Sequence, residues 1–144
     1  MAAELEYYKE HLAHGRHIEV QRSTVTGLAA TISGAIIGEL LKNQPLKRSD
    51  LPFTVTLLFV GLVAWLLSAK LYERFKLHNA IAAGARNKLD PTLAQIRKDA
   101  EKDHKKDFPL LYPLPLHLVW YFLFFVISSV GAVTTCMAWC AQPR

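Results

Sequence analysis

The stretch Leu116–Trp139, LHLVWYFLFFVISSVGAVTTCMAW, decides the fold class. It holds no Asp, Glu, Lys or Arg and lies inside a longer uncharged run, 108–143. A helix crossing the roughly 30 Å hydrocarbon layer needs about 20 apolar residues, and lipid requires its backbone groups to be satisfied internally. At about 1.5 Å of rise per residue the stretch reaches about 36 Å, enough to cross with some tilt. Tyr112, Trp120 and Tyr121 cluster at one end and Trp139 marks the other, as the aromatic belts of a spanning helix do. His117 falls at an interface.

Working outward, a second uncharged segment covers 51–69 and contains PFTVTLLFVGLVAWLLSA from Pro52 to Ala69. Pro52 suits a first helical turn, where its missing N–H would have no partner anyway. Asp50 stands just before it as a cap, and Lys70 just after, able to snorkel. A third segment, 24–42, is less greasy. Its centre, Val25–Leu41, carries Gly27, Ala30, Thr31, Gly34 and Gly38, with Ala30, Gly34 and Gly38 at intervals of four. Small residues at that spacing let two membrane helices approach closely, so Gly27, Ala30, Gly34 and Gly38 are the candidate helix-packing positions. Glu39, near the far end, reaches headgroups or Lys42.

The reading is an all-α integral membrane protein with three transmembrane helices and cytoplasmic helical extensions. Its expected parts are an N-terminal cytoplasmic helix 1–23, a first span 24–42, a short external loop 43–50 and a second span 51–69. A cytoplasmic helical region 70–107, a proline-rich interfacial elbow 108–115, a third span 116–139 and an external tail 140–144 complete it. The chain has 144 residues, 51% of them hydrophobic, with 17 Lys+Arg against 12 Asp+Glu. That length allows one domain at most, and the uneven placing of its charges argues against a cytosolic globular enzyme. Met1-Ala-Ala-Glu4 lacks the basic and apolar regions of a cleavable signal peptide. Cys136 and Cys140 are too few and too local to staple a domain, and read as soft packing residues.

Orientation follows from the basic residues. The 70–107 region holds ten Lys/Arg and the N-terminal stretch adds Lys9, Arg16 and Arg22, against Lys42, Lys47, Arg48 and Arg144 on the other side. Thirteen against four places the N-terminus in the cytoplasm and the C-terminus outside. Six acidic residues reduce the 70–107 region to +4. That modest field suits anionic lipid headgroups and does not point to nucleic acid.

Flanking the spans, Leu5, Tyr8 and Leu12 recur at helical spacing, so a helix over 4–22 is expected to run into or abut the first span. Leu71, Phe75, His78, Ala82, Ala85 and Leu89 form an apolar stripe that continues the second helix about five turns beyond the membrane. Asp90-Pro91 reads as the cap and first position of a further helix with Leu93, Ile96 and Ala100 on one face. These stripes must pack against another helix of the chain, the membrane surface or another subunit. Phe108-Pro-Leu-Leu-Tyr-Pro-Leu-Pro115 cannot be a regular helix and turns the chain at the headgroup zone.

Two constellations stand out. Glu10, His14 and His17 could share a helix face and offer carboxylate and imidazole ligands to zinc, although no fourth ligand stands out; surface or subunit-contact histidines are the plainer reading. No cofactor is implied. Glu19, Arg22, Lys70, Glu73, Arg74 and His78 flank the membrane ends of the first two spans and form a candidate interfacial charge network. No nucleophile–base pair accompanies them, so no catalytic residue is assigned and the chain is not expected to be an enzyme. The spans carry almost no ionisable residue and only Glu39 approaches the bilayer, which argues against a carrier with charged midplane groups.

The combination Glu19-x-x-Arg22 before a small-residue span, then Lys70-x-x-Glu73-Arg74 and His78 after the next, resembles small bacterial membrane proteins of SLATT-like type over residues 4–90. The resemblance implies membrane effectors with cytoplasmic helices, linked to nucleotide-signalled phage defence, that oligomerise and permeabilise membranes. The third span departs from that family's two-helix pattern. The function so implied is a homo-oligomeric, pore-forming or membrane-perturbing effector of a bacterial inner membrane, contacting lipids and its own copies. The alternative is a non-catalytic anchor or accessory subunit that uses the same surfaces to hold a different protein.

Overall fold

A computed structural model describes residues 2–42 and 45–141, with only the backbone of Pro91. Positions 43–44 of the expected external loop and 142–144 of the expected tail lie outside the described residues. Every regular element among the described residues is helical: α1 (Ala2–Lys42), α2 (Leu51–Leu89), α3 (Pro91–Asp107) and α4 (Leu116–Cys140), with a single 3-10 turn at Arg48–Asp50. Three helices are long and apolar enough to cross a membrane: α1, the Arg48–Leu89 helix and α4. The chain is thus an all-α, multi-pass membrane protein. Both α1 and α2 run unbroken from an apolar half into a charged half, because nothing in either sequence stops a helix there.

The chain divides into two compact units, a charged one of Met1–Gln21 with Lys70–Leu118 and an apolar one of Arg22–Ala69 with Val119–Arg144. In the apolar unit the buried positions of α2 are Thr54, Leu57, Gly61, Ala64 and Ser68, at alternating intervals of three and four. Phe124, Ile127, Gly131 and Ala138 continue the same rhythm on α4. That period keeps one seam of each helix against its neighbours. The core joins Ala29, Leu40, Leu57, Ala64, Phe124 and Ile127. The seam is built mostly from small side chains, as expected where lipid removes the hydrophobic drive and only close packing holds helices together.

Gly61 and Gly131 set how close the helices come. A Cβ at Gly131 would fall 2.6 Å from the Cα of Leu58, and one at Gly61 would fall 2.8 Å from the backbone nitrogen of Ser128. Side chains of any size at these positions would push α2 and α4 apart. At the start of α2 the chain departs from the simple cap expected of Asp50. Asp50 is buried and its Oδ2 accepts the backbone N–H of Lys47 at 2.9 Å, closing the 3-10 turn that leads into Leu51. The hydroxyls of Thr26, Thr31, Thr54 and Thr56 each donate to a carbonyl three or four residues earlier, so these polar groups are satisfied within their own helices.

In the charged unit α1 meets α2 around Gly15, which is buried against Phe75 and Asn79; a Cβ there would lie 3.3 Å from Asn79 Oδ1. Ile18 and Ala82 are buried in the same unit, and the Leu71-to-Leu89 stripe is buried or half-buried throughout. Asp90 caps α3, accepting from the backbone N–H of Thr92 at 2.8 Å and from its hydroxyl at 2.7 Å. The α3 stripe is uncovered in the single chain: Ile96 is 63% exposed, and Leu93 and Ala100 are exposed as well. Residues 109–114 make tight turns, with Tyr112 N–H donating to Phe108 O at 2.9 Å and Leu114 N–H to Leu111 O at 3.0 Å. Tyr112 Oη donates to Glu101 Oε1 at 3.0 Å, tying the turns back to α3.

Candidate functional site

The sequence offers six histidines, and the charged unit gathers three of them. His11 and His14 lie one helical turn apart on α1, and His78 comes from α2. His11 Nδ1 and His78 Nδ1 are 2.9 Å apart, with ring centroids separated by 5.1 Å. The ring of His14 lies 5.3 Å from that of His78 and 6.5 Å from that of His11. Tyr7 closes the far side, edge-on to His11 at 4.4 Å. Glu10 Oε1 approaches His14 Nε2 at 3.6 Å, an exposed pair of small energetic worth.

One of the facing Nδ1 atoms must carry a proton and the other a lone pair, so the contact stands while at least one imidazole is neutral. Burial holds the His78 pKa below its usual 6.5, helped by the positive charge that His11, His14 and Arg74 bring near it. His78 therefore resists protonation.

Glu10, His14 and His17, expected as possible metal ligands, are not drawn to one point. His17 Nε2 instead lies 3.1 Å from Gln21 Nε2, because a step of three residues from His14 carries it round the helix, away from His78. Among the described residues no group of three or more His, Cys, Asp or Glu is placed to hold a metal ion. The sequence reading missed His11 as the partner of His78. The signal was present in the helical phase, since His11, Gly15 and Ile18 share the packed face of α1 with Tyr8 and Leu12.

The residues of the candidate charge network lie on α1 and α2. Lys70 Nζ and Glu73 Oε2 pair at 2.5 Å along one helix, both well exposed. Arg74 acts on His78 one turn further on, within the histidine cluster. Glu19 belongs to the charged unit and is half-buried, while Arg22 belongs to the apolar unit and is 4% exposed.

In the apolar unit the glycines singled out from the first span occupy the outer face of α1. Its buried face runs through Arg22, Thr26, Ala29, Ser33 and Leu40. Gly27, Ala30, Thr31, Gly34 and Gly38 are all exposed, and nothing lies within 4 Å of a Cβ built on Gly27, Gly34 or Gly38. Among the described residues these small side chains are therefore not used in packing within the chain. Cys136 and Cys140 are free and exposed.

With this geometry in hand, the class of protein is an α-helical, multi-pass membrane protein whose two longest helices extend into a charged helical unit. No protein-family model, curated protein or solved structure matches the chain.

Proposed function

We propose that the chain is a self-assembling effector of a bacterial inner membrane, in which the outer face of α1 packs against a second copy and the assembly perturbs the bilayer. The observation that supports this reading is the open face at Gly27, Gly34 and Gly38, where a Cβ would meet nothing among the described residues. Lipid tails are as apolar as leucine, so exposed Leu or Phe on a span drives no association, whereas backbones that can approach closely do associate. The basic asymmetry orients the protein with its N-terminus and 70–107 region in the cytoplasm. The resemblance over residues 4–90 supplies the link from assembly to membrane permeability.

The test is reconstitution into dye-loaded vesicles with oligomer size read by single-molecule photobleaching. Wild-type protein assembles, and leakage rises with its density in the membrane. Gly34→Leu and Gly38→Leu, at positions where a Cβ meets nothing among the described residues, stay helical but remain monomeric and leak less. Wild-type protein that stays monomeric at high density sinks the proposal.

A second reading, an accessory subunit that holds another protein, is favoured by a specific feature of the charged unit. Ala3, Tyr7, Ile81 and Ala85 line an apolar groove of about 510 Å³, and Leu93 and Ile96 stand exposed on α3. Co-purification of one stoichiometric partner, with no self-assembly in vesicles, selects that reading.

A further inference from the structure

A second cavity in the charged unit, of about 280 Å³, differs in character from the apolar groove. Its polar lining comes from Tyr8 on α1, Asn79 and Arg86 on α2, and Arg97 on α3. None of the lining residues is acidic. Among the described residues no carboxylate lies within ion-pair distance of either guanidinium. Two arginines from separate helices thus share one concavity without a compensating charge. The Nε of Arg86 is also buried with no acceptor among the described residues, and its Nη2 makes only a 3.3 Å contact to Asn87 Oδ1. With Nη2 only weakly engaged, Arg86 keeps N–H donors for an oxyanion in the cavity.

We infer that this cavity binds a phosphate group, presented by a small soluble phosphate ester or by a phospholipid headgroup. Two guanidinium charges match the charge of a phosphate monoester near neutral pH. Arg86 from α2 and Arg97 from α3 each bring a planar fork of N–H donors for its oxygens. The Tyr8 hydroxyl and the Asn79 amide are further donors for the remaining oxygens. A carboxylate, with one charge and two oxygens, would leave much of this donor set unused. The volume lies at the small end of ligand pockets, suiting a phosphate and a short attached group. The inference rests on the charged unit alone and does not depend on self-assembly.

The experiment uses the full chain in nanodiscs. In one arm, the discs are of phosphatidylcholine and adenosine monophosphate, inorganic phosphate and acetate are titrated. In the other, the discs are made with and without phosphatidic acid. Phenylglyoxal labelling of wild-type protein, read by mass spectrometry, reports whether Arg86 and Arg97 become protected. Protection by the soluble phosphates identifies a soluble ligand; protection by phosphatidic acid alone identifies a headgroup. Arg86→Gln and Arg97→Gln each weaken binding about tenfold. Arg86→Lys does not restore it, since an ammonium lacks the fork, whereas Lys98→Gln, outside the cavity, leaves it unchanged. Acetate binding as tightly as phosphate overturns the inference, as does failure of both arms to protect either arginine. The labelling readout needs no variant, so it decides the matter even if a substituted protein misfolds.

Discussion

His11 on α1 and His78 on α2 face each other through their Nδ1 atoms at 2.9 Å, joining positions 67 residues apart in the chain. The contact lies on the packed faces of both helices, near the point where Gly15 meets Phe75 and Asn79. It makes the packing of the charged unit sensitive to protonation.

Because the His78 pKa is lowered from 6.5, the folded unit binds fewer protons than the unfolded chain between the lowered value and 6.5. The stability it contributes is full above 6.5 and is lost as pH falls through the lowered value. Hydrogen exchange, corrected for intrinsic rates, should show α1 and α2 peptides of the charged unit losing protection as pH drops from about 7.5 to about 5. His78→Phe should flatten that dependence. An unchanged slope in the variant would assign the acid response to other groups.

Gly131→Ala and Gly61→Ala should each destabilise the apolar unit by about 1–3 kcal/mol, the usual range for forcing atoms into a packed interior. The new Cβ meets helix backbone at both sites, which cannot rotate aside. Gly27→Ala, with open space around it, should leave stability within about 0.5 kcal/mol of wild type. Unfolding in mixed micelles, followed by circular dichroism, compares the three. Equal effects at all three sites would contradict the packing described here.

Asp90→Ala should fray the first turn of α3 by removing both bonds to Thr92, while Asp90→Ser should retain most of the cap. Those bonds lower the Asp90 pKa, first through the Thr92 hydroxyl and then through its backbone N–H. The cap is accordingly in place above the ordinary carboxylate range and is lost as pH falls through the lowered value. Amide exchange at the first turn of α3, measured at neutral and acidic pH, reads both effects.

Ile96→Lys should leave the thermal stability of the isolated protein nearly unchanged, because Ile96 is 63% exposed. If the α3 stripe holds a partner, the same change should abolish co-purification of that partner. Loss of stability in the isolated protein would show instead that Ile96 is covered within the chain.

Much of the architecture was legible because it depends on composition along the chain. Uncharged runs marked the second and third spans and a less greasy, small-residue segment marked the first, and the absence of a breaker between each span and its flanking stripe carried α1 and α2 on as single helices. Asp90-Pro91 marked the start of α3 through the same local chemistry. These are properties of consecutive residues, and lipid leaves few other ways to satisfy their backbones.

Which small residues pack, and which histidines meet, was settled only by tertiary structure. Gly34 and Gly38 have the better-known spacing, yet Gly61 and Gly131 bring helices together, because the buried seam follows the phase set by Leu57, Phe124 and Ile127. His17 belongs to the same run as His11 and His14 but turns to Gln21. His78 joins them from the far end of the chain. A helix's own sequence fixes the relative angles of its side chains; the rotation it finally adopts depends on the neighbours it packs against, which no single segment encodes.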